Sequence, residues 1–172
     1  MPAALRVMDG KTYSLKGREK IEHKQNRIER DYMDSKIRNP YRMRQLIDFT
    51  GLELEGGIYP TDIDGLIEYH NQEYILIEVK YGKTKVPFGQ RLAIERMVDD
   101  FTKIGKPAVA IVCEHTVKDA DKHVVAAACK VREIYYGGEH RWRKTEKQMT
   151  VREFIDNFQS FLTEKEGLVE CK

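Results

Sequence analysis

Serine is scarce in this chain: Ser14, Ser35 and Ser160 are the only three in 172 residues, and none lies in a G-x-S-x-G setting. A serine hydrolase built on a strained nucleophile elbow is therefore not expected. The chain also lacks G-x-x-x-x-G-K-[ST], which would cradle phosphates, and H-E-x-x-H, which would place two zinc-binding imidazoles one helical turn apart. Cysteine is limited to Cys113, Cys129 and Cys171, an odd number with no C-x-x-C. That set argues against a disulfide framework and for reduced thiols in a cytoplasmic compartment. Cys113, His115, His123 and Cys129 match no common zinc spacing. Long apolar runs are missing too. The longest, Ala108 to Cys113 and Val124 to Cys129, have six residues each, against about 20 for a membrane-spanning helix. The N-terminus shows no basic segment followed by a hydrophobic one, so neither a secretory signal nor a membrane partner is expected.

What is present describes a well-charged globular chain. Apolar residues make up 41% and charged residues 34%, which suits one domain over residues 1–172 with a sizeable core. The net charge of +2 conceals a segregation. Residues 1–50 carry twelve Lys/Arg against seven Asp/Glu, whereas residues 51–80 carry one against seven. Residues 81–107 return to +3 and residues 108–150 to +2. An acidic centre between basic flanks suits a cation site among phosphate-contacting surfaces. A solubilising charge pattern would produce the same stretches.

Inside the acidic centre, Pro60 to Gly82 reads as two strands joined by a polar turn. Ile63, Leu66, Ile67 and Tyr69 precede His70-Asn71-Gln72-Glu73, and Tyr74, Ile75, Leu76, Ile77 and Val79 follow. Alternate side chains share a face, which pairs Glu78 with Lys80 and Asp62 with Asp64. A three-residue loop of His70 to Gln72 sets Asp64 across from Glu78, Asp62 across from Lys80 and Leu66 across from Leu76. Opposed Cβ atoms lie about 5 Å apart, close enough for two carboxylates to share a cation. A bulge at Gly65 would alter that register. Both faces of Tyr74 to Tyr81 carry large apolar side chains, as in a strand buried on both sides. Charges at its end need a reason. They are either a solvated ion pair past the sheet's edge or a divalent-cation site with an ammonium beside it.

Asp64 followed by Gly-Leu-Ile, then, with thirteen residues between it and Asp64, the run Glu78-Val79-Lys80, resembles the signature of the PD-(D/E)XK nuclease superfamily. The motif with its hairpin covers about an eighth of the chain, and its proline is displaced, so Asp62 is an auxiliary candidate beside Asp64. The resemblance implies an α/β fold: a mixed central sheet with an αβββαβ restriction-endonuclease-like core flanked by helices. It implies a Mg²⁺- or Mn²⁺-dependent nuclease, with DNA favoured over RNA. Asp64, Glu78 and the Val79 carbonyl would hold the ion, which would acidify a bound water, and Lys80 would orient that water. In exonuclease-like branches a glutamine often opens the helix after the hairpin. Gln90 occupies that place, although the usual tyrosine four positions later is Glu95 here. Small chains of this kind resemble phage or mobile-element nucleases and junction resolvases, which also admits a homodimer and a bacterial or phage-infected cytoplasm. The competing expectation is a nucleic-acid-binding protein that keeps the fold without cutting.

Elsewhere, residues 1–13 read as irregular and Ser14 as the cap of a helix to Lys36. Glu19, Glu22 and Glu29 on that helix are open candidates for a further site acid. Tyr41 to Phe49 reads as a short helix and Leu52 to Ile58 as a first strand. The basic turn K-T-K-V-P-F-G places Lys83 and Lys85 where they could meet backbone phosphates. Leu92, Ile94, Met97, Val98 and Phe101 give the following helix its buried side, and Ala108 to Cys113 a buried strand. Val124 to Tyr136 reads as a long strand turned by Gly137-Gly138 into R-W-R-K. That stretch either stacks on a nucleic-acid strand or packs on the core. Thr150 to Glu153 fits a capping box for a last helix that frays from residue 164.

Overall fold

The computed structural model describes residues 5–8, 11–14, 37, 42, 45 and 48–169, with side chains at 37, 42, 45 and 48–164. The chain divides into two compact units, Met1–Leu52 and Glu53–Lys172.

In the first unit, β1 (Leu5–Met8) and β2 (Lys11–Ser14) form an antiparallel pair. This corrects the irregular reading of residues 1–13, and Ser14 ends a strand. Met8 faces Lys11, which leaves two residues between the strands. The sequence there is Asp9-Gly10, a dipeptide favoured in two-residue hairpin loops. The expected helix to Lys36, its three glutamates and most of the short helix over Tyr41 to Phe49 lie outside the described residues.

The second unit is α/β, with a five-stranded mixed sheet. The strands are β3 (Gly65–Tyr69), β4 (Glu73–Tyr81), β5 (Ala108–His115), β6 (Lys130–Tyr136) and β7 (Trp142–Lys144), side by side in chain order. All neighbours are antiparallel except β4 and β5. Those two run parallel, and helix α1 (Phe88–Lys103) connects them. Helix α2 (Val151–Val169) closes the chain.

The alternation of β4 decides what lies on each face of the sheet. Ile75 and Ile77 pack with Val109, Ile111, Phe154 and Phe158, so odd positions meet α2. Leu76 packs with Ile94, Val98 and Ala110, so even positions meet α1. Gln90, Ile94 and Val98 are the buried residues of α1, one helical turn apart. Met97 and Phe101 pack beside them. Gly105, at φ 81°, ends the helix in a left-handed turn. The Lys106 N–H donates to the Phe101 carbonyl and the Gly105 N–H to the Thr102 carbonyl, a Schellman closure. At the start of α2 the Thr150 N–H donates to Glu153 Oε2 over 2.7 Å, and the Glu153 N–H to Thr150 Oγ1 over 3.2 Å. The capping box is therefore formed, and the helix continues past residue 164 to Val169.

Two other expectations change. Leu52 to Ile58 is not a strand: a single bridge joins Leu54 to Ile58 around Gly56 and Gly57, at φ 81° and 73°. Two consecutive left-handed residues fold the chain back before a ladder can grow. The long strand from Val124 starts only at Lys130, because Ala126–Ala128 is a 3₁₀ turn. Among the described residues, no helix is long and apolar enough to cross a membrane.

Candidate active site

The β3–β4 hairpin sets the geometry. Leu66 faces Leu76 and Tyr69 faces Glu73, the register expected from a three-residue loop, so Gly65 is not a bulge. His70 and Asn71 take φ 49° and 60° at the turn. Asp64 stands immediately before β3, and its Oδ2 accepts the Val79 N–H over 2.7 Å. That bond ties the aspartate to the strand carrying Glu78 and Lys80.

Glu78 and Lys80 occupy even positions of β4 and therefore lie on the α1 side, beyond Leu76. Glu78 is 2% exposed. Lys80 Nζ lies 2.5 Å from Glu78 Oε1. Gln90, in the first turn of α1, donates from Nε2 to Glu78 Oε2 over 2.9 Å. The same nitrogen reaches the Asp62 carbonyl at 3.1 Å and Asp62 Oδ1 at 3.3 Å. Lys80 in turn donates to Gln90 Oε1 over 3.4 Å. Asp62, Asp64, Glu78, Lys80 and Gln90 thus converge at the C-terminal end of β4, where α1 begins. Asp62 meets Gln90 rather than Lys80, because it precedes the paired strand.

Electrostatics follow from this placement. Burial pushes the Glu78 carboxyl above its ordinary value. The Lys80 hydrogen bond and charge oppose that rise, and the Asp64 and Asp62 charges add to it. Glu78 is a charge held under strain, in a site open to solvent on the aspartate side. Behind it, the fully buried Cys113 thiol donates to the Glu78 carbonyl over 3.4 Å. Burial pushes that thiol up to about 12, so it stays protonated.

Lys83 and Lys85 are exposed on the loop from β4 to α1. Arg132 holds this loop: it donates to the Gly82 carbonyl over 3.1 Å and the Thr84 carbonyl over 2.9 Å. Sequence reasoning missed Arg132. Its position depends on a register shift between β5 and β6 at Val112/Cys113, which no local pattern announces. Glu114 stands opposite Lys80 in the parallel register; it was missed because a pairing between strands joined through a helix leaves no local pattern. Trp142 packs on the core: its indole N–H donates to Glu95, its ring lies against Tyr135, and the Arg91 guanidinium sits 4.3 Å above it.

Among the described residues, no group of three or more His, Cys, Asp and Glu side chains is placed to hold a metal ion. The donors at hand are the carboxylates of Asp64 and Glu78. Each Glu78 oxygen accepts one bond from its neighbours, and a carboxylate oxygen has two lone pairs. Asp64 Oδ1 accepts no bond from the described residues. Hard oxygens in this number fit Mg²⁺ or Mn²⁺, since Mg²⁺ takes one or two carboxylates and keeps several waters. No family model, curated protein or solved structure matches the chain.

Proposed function

We propose that this protein is a Mg²⁺- or Mn²⁺-dependent nuclease that hydrolyses phosphodiester bonds of DNA. One observation carries the reading: Asp64, the buried Glu78 and Lys80 are drawn together with Gln90 from a strand entry, a strand and a helix start. An isolated ion pair would not need a helix side chain bonded to its carboxylate. The parallel β4–β5 pair linked by α1, beside the antiparallel β3–β4 hairpin, agrees with part of a restriction-endonuclease-like core. The first of the three expected strands is not found among the described residues.

In this reading Asp64, Glu78 and the Val79 carbonyl hold the ion, which supplies acidity to water and neutralises charge on the phosphate. Gln90 fixes the Glu78 carboxylate, and Asp62 fixes Gln90. Lys80 presents its ammonium to the reacting phosphate, where charge develops. Lys83 and Lys85 contact neighbouring phosphates. The second reading is a protein that binds nucleic acid without cutting it, favoured by the engagement of both Glu78 oxygens within the protein. The two separate on incubation with labelled linear, circular and branched DNA, with Mg²⁺ or Mn²⁺ and with chelator. Cleavage that disappears with chelator supports the nuclease. Binding that ignores the metal, with no product, supports the binder.

A further inference from the structure

The loop that leads from the site into α1 presents an aromatic ring with no place in the core. Phe88 is 81% exposed, more than any other large hydrophobic side chain among the described residues. It opens α1, two positions before Gln90. Mobility does not account for its exposure, because the loop is held at both ends. Arg132 binds the Gly82 and Thr84 carbonyls, and Val86 is buried at 8%. Pro87 precedes the ring, and the Arg91 N–H closes the first helical turn onto the Pro87 carbonyl over 2.9 Å. The exposed residues of this anchored loop include two cations, Lys83 and Lys85, before the aromatic ring.

Cations followed by a free aromatic face are what a single strand of nucleic acid requires. Phosphates meet the ammonium groups, and a base stacks on the ring. In an intact duplex the base faces are already stacked on one another and the ring has nothing to cover. We infer that the β4–α1 loop receives unpaired nucleotides, with Phe88 stacking on a base, and that the substrate is single-stranded or frayed nucleic acid. This rests on the nuclease reading of the adjoining site and adds its substrate class.

The test is binding of fluorescein-labelled oligo-dT and of a blunt duplex of equal length to the full chain in chelator, across a salt series. The wild type should prefer the single strand. Phe88→Ala should weaken oligo-dT binding by about fivefold or more, the lower end for loss of one stacked base, leave duplex binding unchanged and leave the salt slope unchanged. Phe88→Trp should restore it. Replacing Lys83 and Lys85 by Ala should flatten the slope by roughly 0.7 per lost contact on the single strand. Oligo-dT binding unchanged in Phe88→Ala would overturn the stacking role while leaving the nuclease reading intact. Loss of self-association with unchanged oligo-dT binding would show that the ring meets a second copy of the chain, and would overturn it equally. Failure of the wild type to bind either form would overturn both readings.

Discussion

Glu78 keeps 2% of its surface in water and is pushed above the ordinary carboxyl value of 4.5, which makes it a reporter of the site. Between 4.5 and the raised value, the native state binds more protons at this position than the unfolded chain. Stability should therefore fall as pH rises through that window, since the slope follows protons bound in the unfolded state minus those bound in the native state. Glu78→Gln removes the titration but keeps a group able to bond Lys80 and Gln90. Denaturant melts should show the stability of the variant relative to the wild type growing from pH 4.5 upward. A difference that stays level with pH would mean that Glu78 is not held under strain. Asp64, Glu78 and Lys80 were legible in the sequence because charges at the end of an apolar strand are conspicuous. Gln90 could be named from its place in the chain, but not its bonds to Glu78 and Asp62, which depend on where α1 docks.

The elements were legible where a local rule governs them. The β3–β4 register followed from loop length and alternation, and the α2 start from its capping box. Asp9-Gly10, between the strands of the first hairpin, is a local signal that the irregular reading of residues 1–13 did not use. Leu52 to Ile58 failed as a strand because Gly56-Gly57 offered the backbone a left-handed alternative. Contacts between distant elements leave no such mark, and Gly137 illustrates this. It turns β6 toward β7, and a methyl group there would fall 1.7 Å from Thr102 Oγ1 and 3.1 Å from the Val98 carbonyl on α1. Gly137→Ala should destabilise the protein by about 1–3 kcal/mol or more through overpacking, seen as an earlier urea midpoint with an unchanged slope. An unaltered midpoint would show that this turn and α1 are not in close contact.

For the molecule as a whole, the resemblance implied an α/β chain and charge segregation disclosed its acidic centre, whereas the division into two compact units was not disclosed. That division rests on the density of contacts along each segment, which composition does not encode. The sheet carries α1 on one face and α2 on the other, and the site lies at the end of the two parallel strands, where α/β sheets commonly bind ligands. We propose that Asp64, Glu78 and Lys80 form one metal-dependent catalytic centre. Single-turnover cleavage of labelled DNA in Mg²⁺ by the wild type, Asp64→Ala, Glu78→Ala and Lys80→Ala tests it, with binding in chelator as the control for folding. Each variant should bind nearly as well as the wild type and cut more than about tenfold slower, a barrier increase above about 1.4 kcal/mol. If Asp64→Ala or Glu78→Ala keeps more than about a tenth of the wild-type rate, the catalytic assignment of this cluster is contradicted.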